Sequence, residues 1–206
     1  MEILKKLLFV TLFALLFSGA KAQSSAVMQA AFSKSYVSEQ AGNYSAAIVE
    51  VKSVYSADAY IANVRLGWLN YLAKQYTVAI DYYEKAIALK PYAIEARLGC
   101  IKPLSAIESW EKVKAQYIQI LKIDPQNTTA NYWLGLIYYN RKDYPNAIKN
   151  FEQCVNLYPL DYDSVIMLAW SKLYGGKPAD AKLLFNQALV LRPSDSSATS
   201  GLAQIK

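Results

Sequence analysis

The chain has 206 residues, contains no histidine, and carries a formal net charge of +6 from 22 Lys or Arg and 16 Asp or Glu residues. Without histidine, Ser–His and Cys–His nucleophile pairs are excluded and the usual general base is missing, so we expect no enzymatic activity. The basic residues are scattered rather than clustered, so nucleic acid is not an expected partner. No pattern of residues suggests a cofactor or a metal site.

The N-terminus has the order of features that is typical of a secretory signal peptide. Lys5 and Lys6 precede an apolar run from Leu7 to Phe17, and the small-x-small sequence Ala20-Lys21-Ala22 follows. As a helix, the apolar run would span only about 16 Å, roughly half of the hydrocarbon core of a bilayer. We therefore predict a signal peptide over residues 1–22 and export to the periplasm or the medium. An uncleaved signal peptide, acting as an anchor, is the alternative and would be the chain's one contact with a membrane.

Three sets of side chains recur with a period of 34 residues. Each unit ends in a proline, has an alanine or valine twelve residues before it, and has an aromatic ring four residues after that small residue. The prolines are Pro91, Pro125, Pro159 and Pro193, the small residues are Ala79, Val113, Ala147 and Ala181, and the rings are Tyr83, Tyr117, Phe151 and Phe185. Four matches at one period indicate an internal repeat.

The unit 128–161 shows most clearly how one repeat should fold. Its first half has helical apolar content and runs without a breaker to "NRKDYP", where Asp143 is the expected N-cap of a second helix. Pro145 falls in the first turn of that helix, where its missing N–H is tolerated, and Pro159 prevents the helix from continuing. Each unit is therefore predicted to be a pair of helices joined by a short turn.

The small residues and the rings have complementary roles in this pair of helices. Gly135 and Ala147 are expected to lie where the two helices approach each other closely, and Phe151 is expected to fill the space beside them. The same positions are occupied by Gly67, Ala79 and Tyr83 in the unit 60–93.

In its period and its signature residues, the chain resembles the tetratricopeptide-repeat (TPR) family over nearly all of the length after the signal peptide. The resemblance implies an all-α fold, a right-handed TPR solenoid of about four and a half helical hairpins. After a short linker at 23–27, the array is predicted over 28–195, with a degenerate unit 28–59, the units 60–93, 94–127, 128–161 and 162–195, and a capping helix at 196–206.

The unit 94–127 diverges from the others. Pro103 falls inside its first predicted helix, four residues after Gly99, so we predict a kink there; the alternative is that the helix ends near Ile101. Cys100 lies at a predicted core position, as does Cys154 in the next unit. We expect two buried small side chains rather than a disulfide, because core positions one repeat apart usually exceed the ~7 Å that a bridge allows.

The resemblance also implies that the first helix of each unit lines a concave groove that binds a partner. Carried onto this chain, the groove residues are Trp68, Tyr71, Lys102, Tyr132, Tyr139, Asn140, Trp170 and Tyr174. Tyrosine and tryptophan dominate binding hot spots, although these rings could instead pack between neighbouring first helices. We predict a non-enzymatic adaptor of the cell envelope that binds a protein or peptide segment. Recognition of a glycan or peptidoglycan fragment is the alternative, and self-association is a further hypothesis.

Overall fold

The computed structural model describes residues 25–205, which contain helices and connecting turns but no β-strand. The helices are α1 (residues 25–40), α2 (Tyr44–Lys52), α3 (Tyr60–Leu72), α4 (Tyr76–Leu89), α5 (Ile94–Ala106), α6 (Trp110–Ile123), α7 (Thr128–Asn140), α8 (Tyr144–Leu157), α9 (Tyr162–Tyr174), α10 (Pro178–Leu191) and α11 (Ser196–Ala203). The predicted signal peptide, residues 1–22, lies outside the described residues. Within the described range, none of the helices combines the length and the apolar character that a membrane crossing requires.

The helices form two compact units, which divide between Ile107 and Glu108. In the first unit, α2 packs on α3, α3 on α4 and α4 on α5, and α3 also contacts α5. A core of aliphatic side chains from α2 and α3 is fully or almost fully buried there, comprising Ala47, Ile48, Val51, Ala62, Leu66 and Leu69. The division falls between α5 and α6, inside the predicted unit 94–127.

In the second unit, each helix from α6 to α11 packs against the next one along the chain. The odd-numbered helices also meet, since α7 contacts α9 and α9 contacts α11. Phe151 and Phe185 are fully buried at the centres of two successive clusters in this unit. This pattern, pairs of helices that also contact the equivalent helix of the next pair, is what stacked hairpins produce.

The helix starts follow the sequence signals. Five helices begin at the first residue of a predicted unit or of the predicted capping helix, namely Tyr60, Ile94, Thr128, Tyr162 and Ser196. The Asp143 side chain accepts a hydrogen bond from the Asn146 backbone N–H, and Pro145 lies in the first turn of α8, as expected. The same capping bond recurs at Asn127, Asp161 and Asp195. These caps satisfy backbone donors that have no partner within the helix.

The close approach predicted at Gly135 is confirmed. A Cβ atom on Gly135 would lie 2.9 Å from the Phe151 ring, and one on Gly67 would lie 2.9 Å from the Tyr83 ring. Ala147 and Phe151 are both completely buried. The ring of α8 therefore occupies the space that the missing glycine side chain leaves on α7.

Two expectations need correction. Residues 25–27, assigned to the linker 23–27, are helical and belong to α1. The alternative that the first helix of the unit 94–127 ends near Ile101 is wrong, because α5 continues through Pro103 to Ala106. A Cβ atom on Gly99 would lie 2.3 Å from the Tyr83 ring, so the missing side chain makes room for this ring. Tyr83 thus packs against glycines of two successive hairpins.

The two cysteines are core residues, as the repeat pattern predicts. Cys100 and Cys154 are both buried thiols. Burial raises the pKa of the Cys154 thiol to about 11, so this side chain is neutral at physiological pH.

Ala147→Leu should lower the free energy of unfolding by roughly 1–3 kcal/mol, because added methylenes in a closely packed core force neighbours apart. Asn146→Leu, one position earlier on the exposed side of α8, should have a much smaller effect. Thermal unfolding followed by circular dichroism compares the two variants. Equal melting temperatures would contradict the assigned orientation of α8.

Candidate functional site

Four aromatic rings form a continuous cluster in the second unit: Tyr139 from α7, Tyr144 from α8, and Trp170 and Tyr174 from α9. Trp170 and Tyr174 stack with ring centroids 5.5 Å apart, and the Tyr174 ring lies 5.6 Å from Tyr144 and 6.3 Å from Tyr139. Tyr139 and Tyr144 meet edge to face at 5.9 Å. Trp170 and Tyr174 are four residues apart on one helix, so they share a face, whereas the other two rings are brought to them by packing.

Trp170 is anchored by its contacts with neighbouring helices, whereas Tyr174 is partly exposed to solvent. The Trp170 indole N–H donates a 2.8 Å hydrogen bond to Ser197 Oγ of α11, and its ring meets Phe185 edge to face at 5.1 Å. The Tyr174 side chain, in contrast, is 45% exposed. Because Trp170 is anchored and supports Tyr174, little side-chain freedom of these rings would be lost on contact with another molecule.

The Tyr139 hydroxyl is shielded from solvent within the cluster. Burial raises the pKa of Tyr139, and the neighbouring Tyr174 and Tyr144 hydroxyls raise it further. Tyr139 and Trp170 also pack on buried aliphatic side chains of the hydrophobic core. The surface can therefore offer apolar contact area together with hydroxyl groups.

Two other residues of the predicted groove in this unit lie elsewhere. Tyr132 has Trp133 and Phe151 as its ring partners, at 5.7 and 5.8 Å, and lines a separate cavity at the turn between α8 and α9. Asn140 is exposed at the last position of α7. Sequence analysis missed Tyr144, which lies in the first turn of a second helix, because the resemblance directed attention to first helices only.

The three groove residues predicted in the first unit do come together. Trp68 and Tyr71 have ring centroids 5.7 Å apart, and Lys102 Nζ lies 5.9 Å from the Trp68 ring. Tyr76 extends this cluster, at 6.0 Å from Tyr71. A cation within about 6 Å of an indole face is attracted to the ring, so this surface combines aromatic area with a positive charge.

A buried ion pair holds Trp68 in place. The Trp68 indole N–H donates a 2.6 Å hydrogen bond to Glu39 of α1, and the Arg65 guanidinium forms a salt bridge with the same carboxylate. Arg65 is only 6% exposed; it also donates to Ser35 Oγ and lies 3.8 Å from the Tyr36 ring centroid. This network was missed, although an arginine within the apolar helix "YIANVRLGWLNYL" was a visible signal.

Among residues 25–205, no group of three or more His, Cys, Asp or Glu side chains is placed to hold a metal ion. The side chains that the structure gathers at the two clusters are aromatic rings and single charges. These side chains can make non-covalent contacts with a partner.

The sequence matches models of the tetratricopeptide repeat over more than half of its length. One model matches residues 128–161, and a second matches residues 41–94 and 166–205. A comparison with curated proteins found no match.

Solved structures share the fold. The MamA protein is 18% identical, with 81% of this chain and 92% of that chain covered and a TM-score of 0.69. A tetratricopeptide repeat protein from Parabacteroides merdae is 18% identical, with 87% and 72% covered and a TM-score of 0.72. YrrB, described as a TPR protein with an unusual peptide-binding site, is 14% identical, with 89% and 96% covered and a TM-score of 0.68. The predicted all-α class, built from hairpins of this type, is confirmed.

Proposed function

The chain belongs to the tetratricopeptide-repeat family, and from this premise we propose that it is a non-enzymatic adaptor that binds a protein or peptide segment. The observation that carries the proposal is the ring cluster of the second unit, in which the exposed Tyr174 stacks on the anchored Trp170. The peptide-binding site for which YrrB is described gives the proposal a precedent in a protein of the same fold. The signal-peptide pattern of residues 1–22 supports placing this activity in the cell envelope.

The cluster of the second unit suits an apolar partner segment. Tyrosine rings give a partner large contact area and a hydroxyl for its backbone groups, at a low cost in conformational entropy. The cluster of the first unit differs, because Lys102 places a positive charge beside Trp68 and Tyr71. The two surfaces therefore suit segments of different charge.

Recognition of a glycan or peptidoglycan fragment is the second candidate. The exposed ring of Tyr174 favours it, since sugar faces also pack on open aromatic rings. Titration of the purified protein with soluble peptidoglycan fragments, followed by tryptophan fluorescence, tests this candidate directly. Light scattering over a range of protein concentrations tests self-association.

Tyr174→Ala should weaken the binding of a selected peptide about 30-fold, the loss expected when a hot-spot side chain contributing about 2 kcal/mol is truncated. The peptides are selected from a random 12-residue library against the wild-type protein without the predicted signal peptide, residues 1–22. Their affinities are measured by fluorescence anisotropy. The matched control is Tyr92→Ala, which removes an equally large but 83% exposed ring outside both clusters. Unchanged affinity in Tyr174→Ala, with its circular dichroism spectrum intact, would contradict the proposal.

A further inference from the structure

A three-residue contact closes the junction between the hairpin 60–93 and the helix that follows it. The Tyr60 hydroxyl at the start of α3 donates a 2.7 Å hydrogen bond to Glu95 at the start of α5. Lys90, from the turn between α4 and α5, lies 4.6 Å from the centroid of the same ring. The tyrosine thus contacts both a carboxylate and a cation.

The same contact recurs at the junction after the hairpin 162–195. The Arg192 guanidinium lies 3.7 Å from the Tyr162 ring centroid, and Asp195 caps the start of α11 by accepting a hydrogen bond from the Ala198 N–H. Burial and the Asp195 carboxylate raise the pKa of the Tyr162 hydroxyl. In both junctions the tyrosine and the cation stand at equivalent positions of the repeat, whereas the carboxylate belongs to the second residue of α5 in one and to the N-cap residue of α11 in the other.

The junction between the hairpin 128–161 and α9 has the carboxylate but neither of the other two groups. Thr128 stands where Tyr60 and Tyr162 stand, and Tyr158 stands where Lys90 and Arg192 stand. A cavity of about 570 Å³ opens at this place, and Thr128, Tyr132, Tyr158, Leu160 and Asp161 are among the residues that line it. The volume is in the range of small-molecule sites and is ample for one large side chain.

The walls of this cavity are largely apolar, and Asp161 is the one carboxylate among the residues that line it. Tyr158 and Leu160 are 60% and 76% exposed, so both can contact a partner side chain. Both hydrogen bonds that Asp161 accepts from Ser164 go to Oδ2, which leaves Oδ1 for a further donor. Burial raises the pKa of the Tyr132 hydroxyl, and the charges of Asp163 and Asp161 raise it further. Asp163 is already paired with Arg192 at 3.8 Å, which leaves Asp161 as the carboxylate for a partner.

We propose that this cavity, which we name the junction pocket, receives a basic side chain of a partner protein, preferably arginine. The guanidinium pairs with Asp161, and the aliphatic stem packs on Tyr158 and Leu160. The pairing reproduces the ring–cation contact of the other two junctions, with the ring supplied by position 158 and the cation by the partner. Arginine fits better than lysine because its planar group stacks on a ring while it donates to a carboxylate.

The junction pocket is a separate site from the ring cluster proposed to bind a peptide. Tyr139, Tyr144, Trp170 and Tyr174 are not among the residues that line it. Failure of one proposal is therefore distinguishable from failure of the other.

The test uses acetyl-Leu-Arg-Leu-amide and its citrulline analogue, which keeps the shape of arginine but lacks the charge. Titrations of the full chain are followed by NMR, and the arginine peptide should bind about five- to tenfold more tightly than the citrulline peptide. Equal affinity of the two peptides would overturn the proposal.

Two variants locate the binding. Asp161→Asn removes the charge but keeps a good N-cap, so the preference for arginine should disappear while the helix remains. Thr128→Tyr introduces the ring that the other junctions carry, so it should fill the pocket, abolish binding and raise the melting temperature. Asp81→Asn, an exposed carboxylate in the first unit, and Tyr174→Ala should both leave binding unchanged. Preference for arginine that persists in Asp161→Asn would contradict the assigned site.

Discussion

Phe151→Ala should lower the free energy of unfolding by about 3–5 kcal/mol, the loss expected when a fully buried ring is truncated. The ring is completely buried between α7 and α8, meets Tyr132 edge to face at 5.8 Å, and lies against Gly135. Glycine has no side chain that could move into the vacated space, so a cavity would remain. Denaturant unfolding followed by circular dichroism measures the loss.

The control for Phe151→Ala is Leu183→Ala on α10, where the leucine is 72% exposed. This variant removes a large apolar side chain without leaving a cavity, so its stability should change by no more than about 0.5 kcal/mol. A loss below 1 kcal/mol in Phe151→Ala would show that α7 and α8 can close over the vacated space, contrary to the packing described here.

Glu39→Ala should destabilise the first unit by about 3–5 kcal/mol, because it leaves the Arg65 guanidinium buried without its carboxylate. Arg65 is 6% exposed and Glu39 20% exposed, and the carboxylate also accepts the hydrogen bond from Trp68. The loss of that bond should release the Trp68 ring, so its fluorescence should shift along with the melting temperature. Thermal unfolding followed by tryptophan fluorescence measures both the shift of the emission and the melting temperature.

The double variant Glu39→Leu, Arg65→Met separates the cost of an unpaired charge from the value of the pair. Replacing both charges with apolar side chains of similar volume should recover most of the stability that Glu39→Ala loses. If the double variant is as unstable as Glu39→Ala, the ion pair itself stabilises the α1–α3 contact. In that case the desolvation argument is wrong for this site.

The helical hairpins could be predicted from the sequence because the signals for them are local and repeated. Asp143 caps α8, Pro145 starts it, and Pro159 follows its end, as expected from the properties of single residues. The burial of Ala147 and Phe151 followed from the same period, since each signature position faces the partner helix of its own hairpin. The presence of both Trp68 and Tyr71 in one surface cluster followed from the spacing along one helix.

The contacts between hairpins could not be predicted in the same way. Tyr144 joins the ring cluster because α8 packs beside α9, and no feature of "DYPNAI" indicates that neighbour. The ion pair of Arg65 with Glu39 spans 26 residues, and its geometry depends on how α1 lies against α3. The sequence shows that Thr128 stands where two other units carry a tyrosine. It does not show the cavity beside Thr128.

Local sequence signals specify a series of paired helices with a period of 34 residues, because caps, prolines and small residues act within one hairpin. The packing of neighbouring hairpins sets which rings touch, which charges are buried and where a cavity remains. Those outcomes depend on the distances between side chains of neighbouring hairpins. A difference of a few ångströms in such a distance decides whether a side chain is buried or exposed.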